Sequence, residues 1–162
     1  GMIAYISKHG AVQEFVERAA AETGTQLFDL SSDAAAARDA VGGLPSDGRI
    51  VVAAPIYAGS IPKPMLRFLE SVREDLLSRR VAIVLSCLYQ GEEARIQLAE
   101  TVPPWLVGHA ERQFMIGGRV IMNELKRPVR FLVRKILGHD TDVDTMAWDE
   151  VPLLAAWLRG ES

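Results

Sequence analysis

Three short segments hold most of the residues that could bind and orient a ligand. In the first, Ser7-Lys8-His9-Gly10-Ala11-Val12, a hydroxyl and a glycine stand just ahead of a helical pattern. Backbone N–H groups at a helix start have no intrahelical partner and attract an anion such as phosphate. Gly10 leaves room for close approach or an unusual dihedral. The second segment, Pro55-Ile56-Tyr57-Ala58-Gly59-Ser60, and the third, Ser86-Cys87-Leu88-Tyr89-Gln90-Gly91, each place a tyrosine just after an apolar run. Two aromatic rings flanking a crevice suit a flat heteroaromatic ring stacked in offset geometry. Together the three segments describe a site for one mononucleotide. Taken singly, each tyrosine also fits a rim or packing position, and the first loop an ordinary strand-to-helix turn.

Elements able to bring these segments to one edge are legible in the hydrophobic pattern. Met2–Ile6, Gln26–Leu30, Ile50–Ala54, Val81–Leu85 and Gln113–Ile116 read as strands. They do not alternate polar with apolar residues, as expected of a parallel sheet buried on both faces. Helical segments are expected between and after them, at Val12–Ala21, Ala34–Val41, Met65–Val72, Glu92–Glu100, Asn123–Leu137 and Trp148–Arg159. Strands alternating with helices imply right-handed crossovers and a three-layer, doubly wound α/β domain with five parallel strands, spanning residues 1–162. Ligands of such sheets collect beyond the C-terminal ends of the strands, where all three segments lie.

Other chemistries lack their signatures. No G-x-G-x-x-G follows the first strand, and neither G-x-x-x-x-G-K-[ST] nor G-x-S-x-G occurs. Cys87 is the one cysteine and has no arginine at phosphate-loop spacing, so it reads as a small apolar residue at a strand end. His9, His109 and His139 share no metal-ligand spacing. With no acid–base set in view, a redox cofactor is the natural carrier of any chemistry. A net charge of -3 argues against nucleic acid as a partner. No apolar run is long enough to span a bilayer and no secretory leader is legible, so the cytoplasm is the expected compartment.

The order of these segments resembles the flavodoxin superfamily, and within it the flavodoxin-domain family that includes menaquinone-dependent protoporphyrinogen IX dehydrogenase. Ile3 to Gly10 resembles that family's first strand and phosphate loop. Ile50 to Gly59 and Val81 onward resemble the third and fourth strands with their flavin loops. Phe114 to Arg119, Lys135 to Gly138, Asp140 to Asp142 and Ala147-Trp148 resemble the last third. The resemblance implies a flavodoxin-like fold and non-covalently bound FMN. Ser7, Lys8, His9, Gly10, Ala11 and Val12 would then hold its phosphate. Pro55, Ile56, Tyr57, Ala58 and Gly59, with Ser86, Cys87, Leu88, Tyr89 and Gln90, would flank its ring. It further implies an oxidoreductase taking reducing equivalents from a porphyrinogen to a quinone, in peripheral contact with the inner face of the cell membrane. The chain departs from the pattern at Ile6 and Val12, where the family loop carries hydroxyl residues. Two donors are lost there, leaving more of the work to backbone N–H groups. A flavodoxin-like electron carrier or quinone reductase, and a non-redox member that has lost FMN, stand as alternatives.

The segment from Asn123 to Leu137 is the remaining feature. Leu125, Val129, Leu132 and Ile136 are spaced by four, three and four residues, which gives one apolar stripe expected to bury against the sheet. Arg127, Arg130, Arg134 and Lys135 surround it, Phe131 and Val133 lie outside it, and Pro128 is expected to kink or divide the helix. The basic surface suits either plain solvation or an anionic membrane or substrate.

Overall fold

Five apolar runs become strands in the computed structural model, which describes residues 1–57 and 59–161. Ala58, assigned above to the second loop, lies outside the described residues. The strands are β1 (Met2–Tyr5), β2 (Gln26–Asp29), β3 (Arg49–Pro55), β4 (Arg80–Ser86) and β5 (Arg112–Met115). All pair in parallel, in the order β2-β1-β3-β4-β5.

Strand geometry sends successive side chains to opposite faces, and the sequence supplies an apolar residue for each. Met2, Ala4, Ile50, Val52, Ile83 and Leu85 enter one core. There they meet α2 (Ala34–Gly43), α3 (Lys63–Ser71), α4 (Arg73–Leu77), α5 (Gly91–Thr101) and α6 (Pro104–His109). Ile3, Tyr5, Val51, Ala53, Val84 and Phe114 enter the other core, against α1 (Ala11–Thr23) and α8 (Val151–Leu158). The chain therefore forms the three-layer flavodoxin-like sandwich with a five-stranded parallel sheet expected from its sequence.

Two short helices were not legible. α4 has 5 residues and α6 has 6, less than the window over which a helical period declares itself. Pro104 opens α6 in its first turn, where a missing N–H costs nothing.

Beyond β5 the expectation needs more correction. The two-residue strands β6 (Arg119–Val120) and β7 (Val143–Asp144) pair antiparallel as a separate ribbon. The helix expected from Asn123 is divided: Met122–Glu124 forms a 3-10 turn, and α7 runs Arg127–Leu137. Pro128 therefore occupies the first turn and causes no kink. At the far end a 3-10 turn at Trp148–Glu150 precedes α8.

Candidate functional site

Strand order reverses direction at β1: the chain steps outward to β2, then returns to β3 on the other side. The crossover helices on the two sides lie on opposite faces, leaving a crevice above the ends of β1 and β3. A cleft enclosing about 770 Å³, open mouth included, lies among the three loops. The first loop contributes Ser7, Lys8, His9, Ala11 and Val12 to its wall, the second Pro55, Ile56, Tyr57 and Gly59, and the third Ser86, Cys87, Leu88 and Tyr89. Gly10 and Gln90 are not on the wall. Gln90 is exposed and flanks the start of α5.

The first loop is built as a set of free donors. Ile6 N–H is bonded to Ala53 C=O at 3.0 Å, closing the sheet. Beyond it, no N–H from Ser7 to Val12 donates a hydrogen bond among the described residues. Ser7 Oγ accepts from Gln13 N–H at 3.3 Å, which latches the loop to α1 and leaves the hydroxyl proton available to a ligand. Gly10 works through its backbone: its φ of 83° is left-handed, and it lets the chain turn into α1. The two departures at Ile6 and Val12 have a structural reason. Ile6 packs in one core and Val12 in the other, so both positions serve the sheet.

The second and third loops are tied together. Ile56 N–H donates to Ser86 C=O at 2.8 Å. Tyr57 and Ser60 exchange backbone bonds across a turn containing Gly59, φ 77°. The Tyr57 ring lies 5.4 Å from the His9 ring, with Lys8 Nζ also 5.4 Å from its centroid. Its flat face thus bridges the first and second loops, and burial pushes its phenol above the ordinary value, keeping it neutral. The Ser86 hydroxyl donates to Gly117 C=O at 2.8 Å, and Cys87 N–H reaches the same oxygen at 3.0 Å. Ser86 therefore braces the third loop and its proton is already committed. Cys87 is buried, and burial raises its thiol pKa, so it faces the cleft as a neutral, weakly nucleophilic group.

Sequence reasoning missed the fourth wall. Val129, Leu132, Val133 and Ile136 of α7 line the cleft with Gly118, Arg119 and Val120. The apolar stripe was legible, but its destination differs from the expectation. It packs on the ribbon and third loop, in a cluster of Val120, Met122 and Val133 with Leu88, Leu125 and Val129, rather than on the sheet. Val133, placed outside the stripe above, is the buried residue of α7, whereas Leu132 is 43 % exposed. Gln97 of α5 completes the lining. Its Oε1 is buried without a hydrogen-bond partner among the described residues. Arg119 had a signal, its place directly after the Gly117-Gly118 turn. Gln97, exposed-looking at mid-helix, had none.

The chain belongs to the flavodoxin domain family, whose model matches residues 2–146. Solved structures repeat the fold at low identity. A short-chain flavodoxin associated with a PDU bacterial microcompartment is 15% identical with TM-score 0.59, over 100% of this chain and 98% of that one. General stress protein 14 from Treponema denticola, solved with FMN, is 14% identical with TM-score 0.58, over 99% and 98%. The Flv1 flavodiiron core from Synechocystis sp. PCC6803 is 13% identical with TM-score 0.50 over 70% of this chain, which spans 29% of that larger one. No curated protein sequence matches.

Proposed function

We propose that the chain binds FMN above β1 and β3 and serves as an electron-transfer flavoprotein. One observation carries the reading: a strand-to-helix loop of unpaired N–H groups opens onto the same apolar cleft as Tyr57 and Tyr89. The strand order is that of flavodoxin itself, in which FMN lies at this switch point. The residues present fit such a ligand. Ser7 to Val12 offer donors for a phosphate, and the rest of the cleft is largely apolar, suited to a flat ring. The orphaned Gln97 Oε1 is an acceptor, and a flavin ring carries an N–H donor. The general stress protein 14 structure contains FMN in the same fold, which supports the choice of cofactor.

Bound FMN would supply the capacity to accept reducing equivalents from one partner and deliver them to another. The protein's own groups do the rest. The first loop holds the anionic end, and the α7 face with Leu88 and Val120 excludes water from one side. Neither the Cys87 thiol nor the Tyr57 phenol is poised to exchange protons near neutrality, since burial raises the pKa of both.

A second reading, transfer from a porphyrinogen to a quinone at the inner face of the cell membrane, is favoured by the outer surface of α7. Phe131 is 53 % exposed, with Arg134 and Lys135 over its ring at 5.8 and 5.6 Å, and Leu132 beside it. Arg130 is partly neutralised by Asp140 at 3.5 Å. No described helix is long and apolar enough to cross a membrane. Each free basic group near an anionic surface is worth about 1 kcal/mol. Protein reconstituted with FMN should therefore float with anionic but not neutral liposomes, and lose this on changing Arg127, Arg134 and Lys135 to Ser. Wild-type protein that ignores anionic vesicles removes the membrane surface.

The assay that separates the two readings uses the same reconstituted protein. Dithionite-reduced protein should pass electrons to a one-electron acceptor such as cytochrome c, and anaerobic porphyrinogen should leave the oxidised protein yellow. Rapid bleaching by porphyrinogen with reoxidation by a quinone would put the second reading first. Failure to be reduced and reoxidised by any acceptor would defeat both.

A further inference from the structure

Arg119 stands at the first loop from outside it. Arg119 is among the residues lining the cleft, and a Cβ placed on Gly10 would sit only 3.7 Å from its terminal nitrogen. It is held there by β6, whose backbone pairs with Asp144, and by Glu14 one turn into α1, at 3.5 Å. Glu14 has a second partner, Arg18, at 3.1 Å, and Arg18 is itself seated 3.9 Å over the Trp148 ring. The carboxylate thus stays neutralised if Arg119 turns away.

The Arg119–Glu14 pair is partly exposed, and such pairs are weak. A phosphate dianion offers a guanidinium more charge and a two-pronged acceptor, which arginine matches better than any other side chain. The loop itself offers one side-chain hydroxyl, that of Ser7, while Ile6 and Val12 pack into the two cores. We propose that Arg119 is a phosphate-recognition residue that exchanges Glu14 for the ligand's terminal phosphate, making the site selective for a phosphorylated flavin over its unphosphorylated form. The inference rests on the FMN reading above and adds to it a specificity residue from outside the three loops.

The test compares FMN with riboflavin, which carries the same ring and no phosphate. Purified protein freed of flavin is titrated with each by fluorescence quenching, at low and moderate salt, in wild type, R119A, R119K and E14Q. In R119A the FMN dissociation constant should rise on the order of tenfold to a hundredfold, with riboflavin unchanged. R119K should recover part of the loss. E14Q should bind FMN more tightly than wild type, because a competitor for the guanidinium is gone, again with riboflavin unchanged. Salt should weaken FMN in wild type more than in R119A. Equal losses for both flavins in R119A would make Arg119 a structural residue and overturn the proposal, as would unchanged FMN affinity in R119A or in E14Q. Wild type that binds riboflavin and FMN equally overturns the Arg119 role alone. Wild type that binds neither overturns the FMN reading beneath it.

Discussion

Replacing Gly117 with alanine should cost about 2–5 kcal/mol of folding stability and loosen the cleft at the same time. The left-handed φ of 76° is one part of the cost, about 1–2 kcal/mol for a residue with a side chain. The larger part is steric. A Cβ there would lie 2.0 Å from the Thr145 carbonyl oxygen, in backbone that cannot swing aside. Thr145 is fixed by its N–H to Gly118 C=O at 2.8 Å, and Ala147 N–H by Ile116 C=O at 2.8 Å. These bonds clamp the end of β5 to the segment leading into α8. The same Gly117 carbonyl receives Ser86 Oγ and Cys87 N–H, so a displaced Gly117 also shifts the third loop. Urea denaturation measures the first effect and flavin titration the second. Gly138→Ala is the control: its φ is 77° but nothing lies within 4 Å of a Cβ. It should lose only the dihedral cost. Equal, small losses in both variants would show that Thr145 yields and that the clamp is soft.

Tyr57→Ala should raise the FMN dissociation constant by roughly 5- to 100-fold, the scale of about 1–3 kcal/mol for removing an aromatic stacking partner. The ring bridges the second loop to His9 and Lys8, so its loss removes flat apolar surface and frees two cationic or polar side chains beside the phosphate site. Tyr89→Ala should weaken binding less, because Tyr89 makes no aromatic or cation contact that fixes its ring among the described residues. Isothermal titration with FMN and riboflavin distinguishes the contributions: a stacking loss weakens both flavins alike. If the Tyr57 variant binds FMN as wild type does, the ring belongs to the rim and the flavin reading loses its aromatic wall.

The sheet was legible because its central strands, Ile50 to Ala54 and Val81 to Leu85, are apolar at every position, as burial on both faces requires. Those two runs occupy interior positions of the sheet, as β3 and β4. The first three loops followed from the sheet, since each stands directly after a strand end. Their individual roles did not follow. Gly10 turns the chain rather than lining the cleft, Gln90 is exposed, and Ser86 spends its proton on Gly117. The fourth wall was hidden for a different reason. It depends on a two-residue ribbon joining Arg119 to Asp144, too short to leave a periodic trace and distant in sequence. Without that ribbon the apolar stripe of α7 has no visible destination, and the sheet is the default choice. Arg119 stands directly after the Gly117-Gly118 turn, but only the same ribbon places it beside Gly10.

The central claim is that the cleft holds FMN. The direct measurement is an absorbance and fluorescence titration of flavin-freed protein with FMN, followed by gel filtration of the mixture. Saturation at one FMN per chain, with the flavin absorbance band resolved, its fluorescence quenched and yellow colour travelling with the protein, is the predicted result. Free and unperturbed FMN eluting apart from colourless, folded protein would contradict the account.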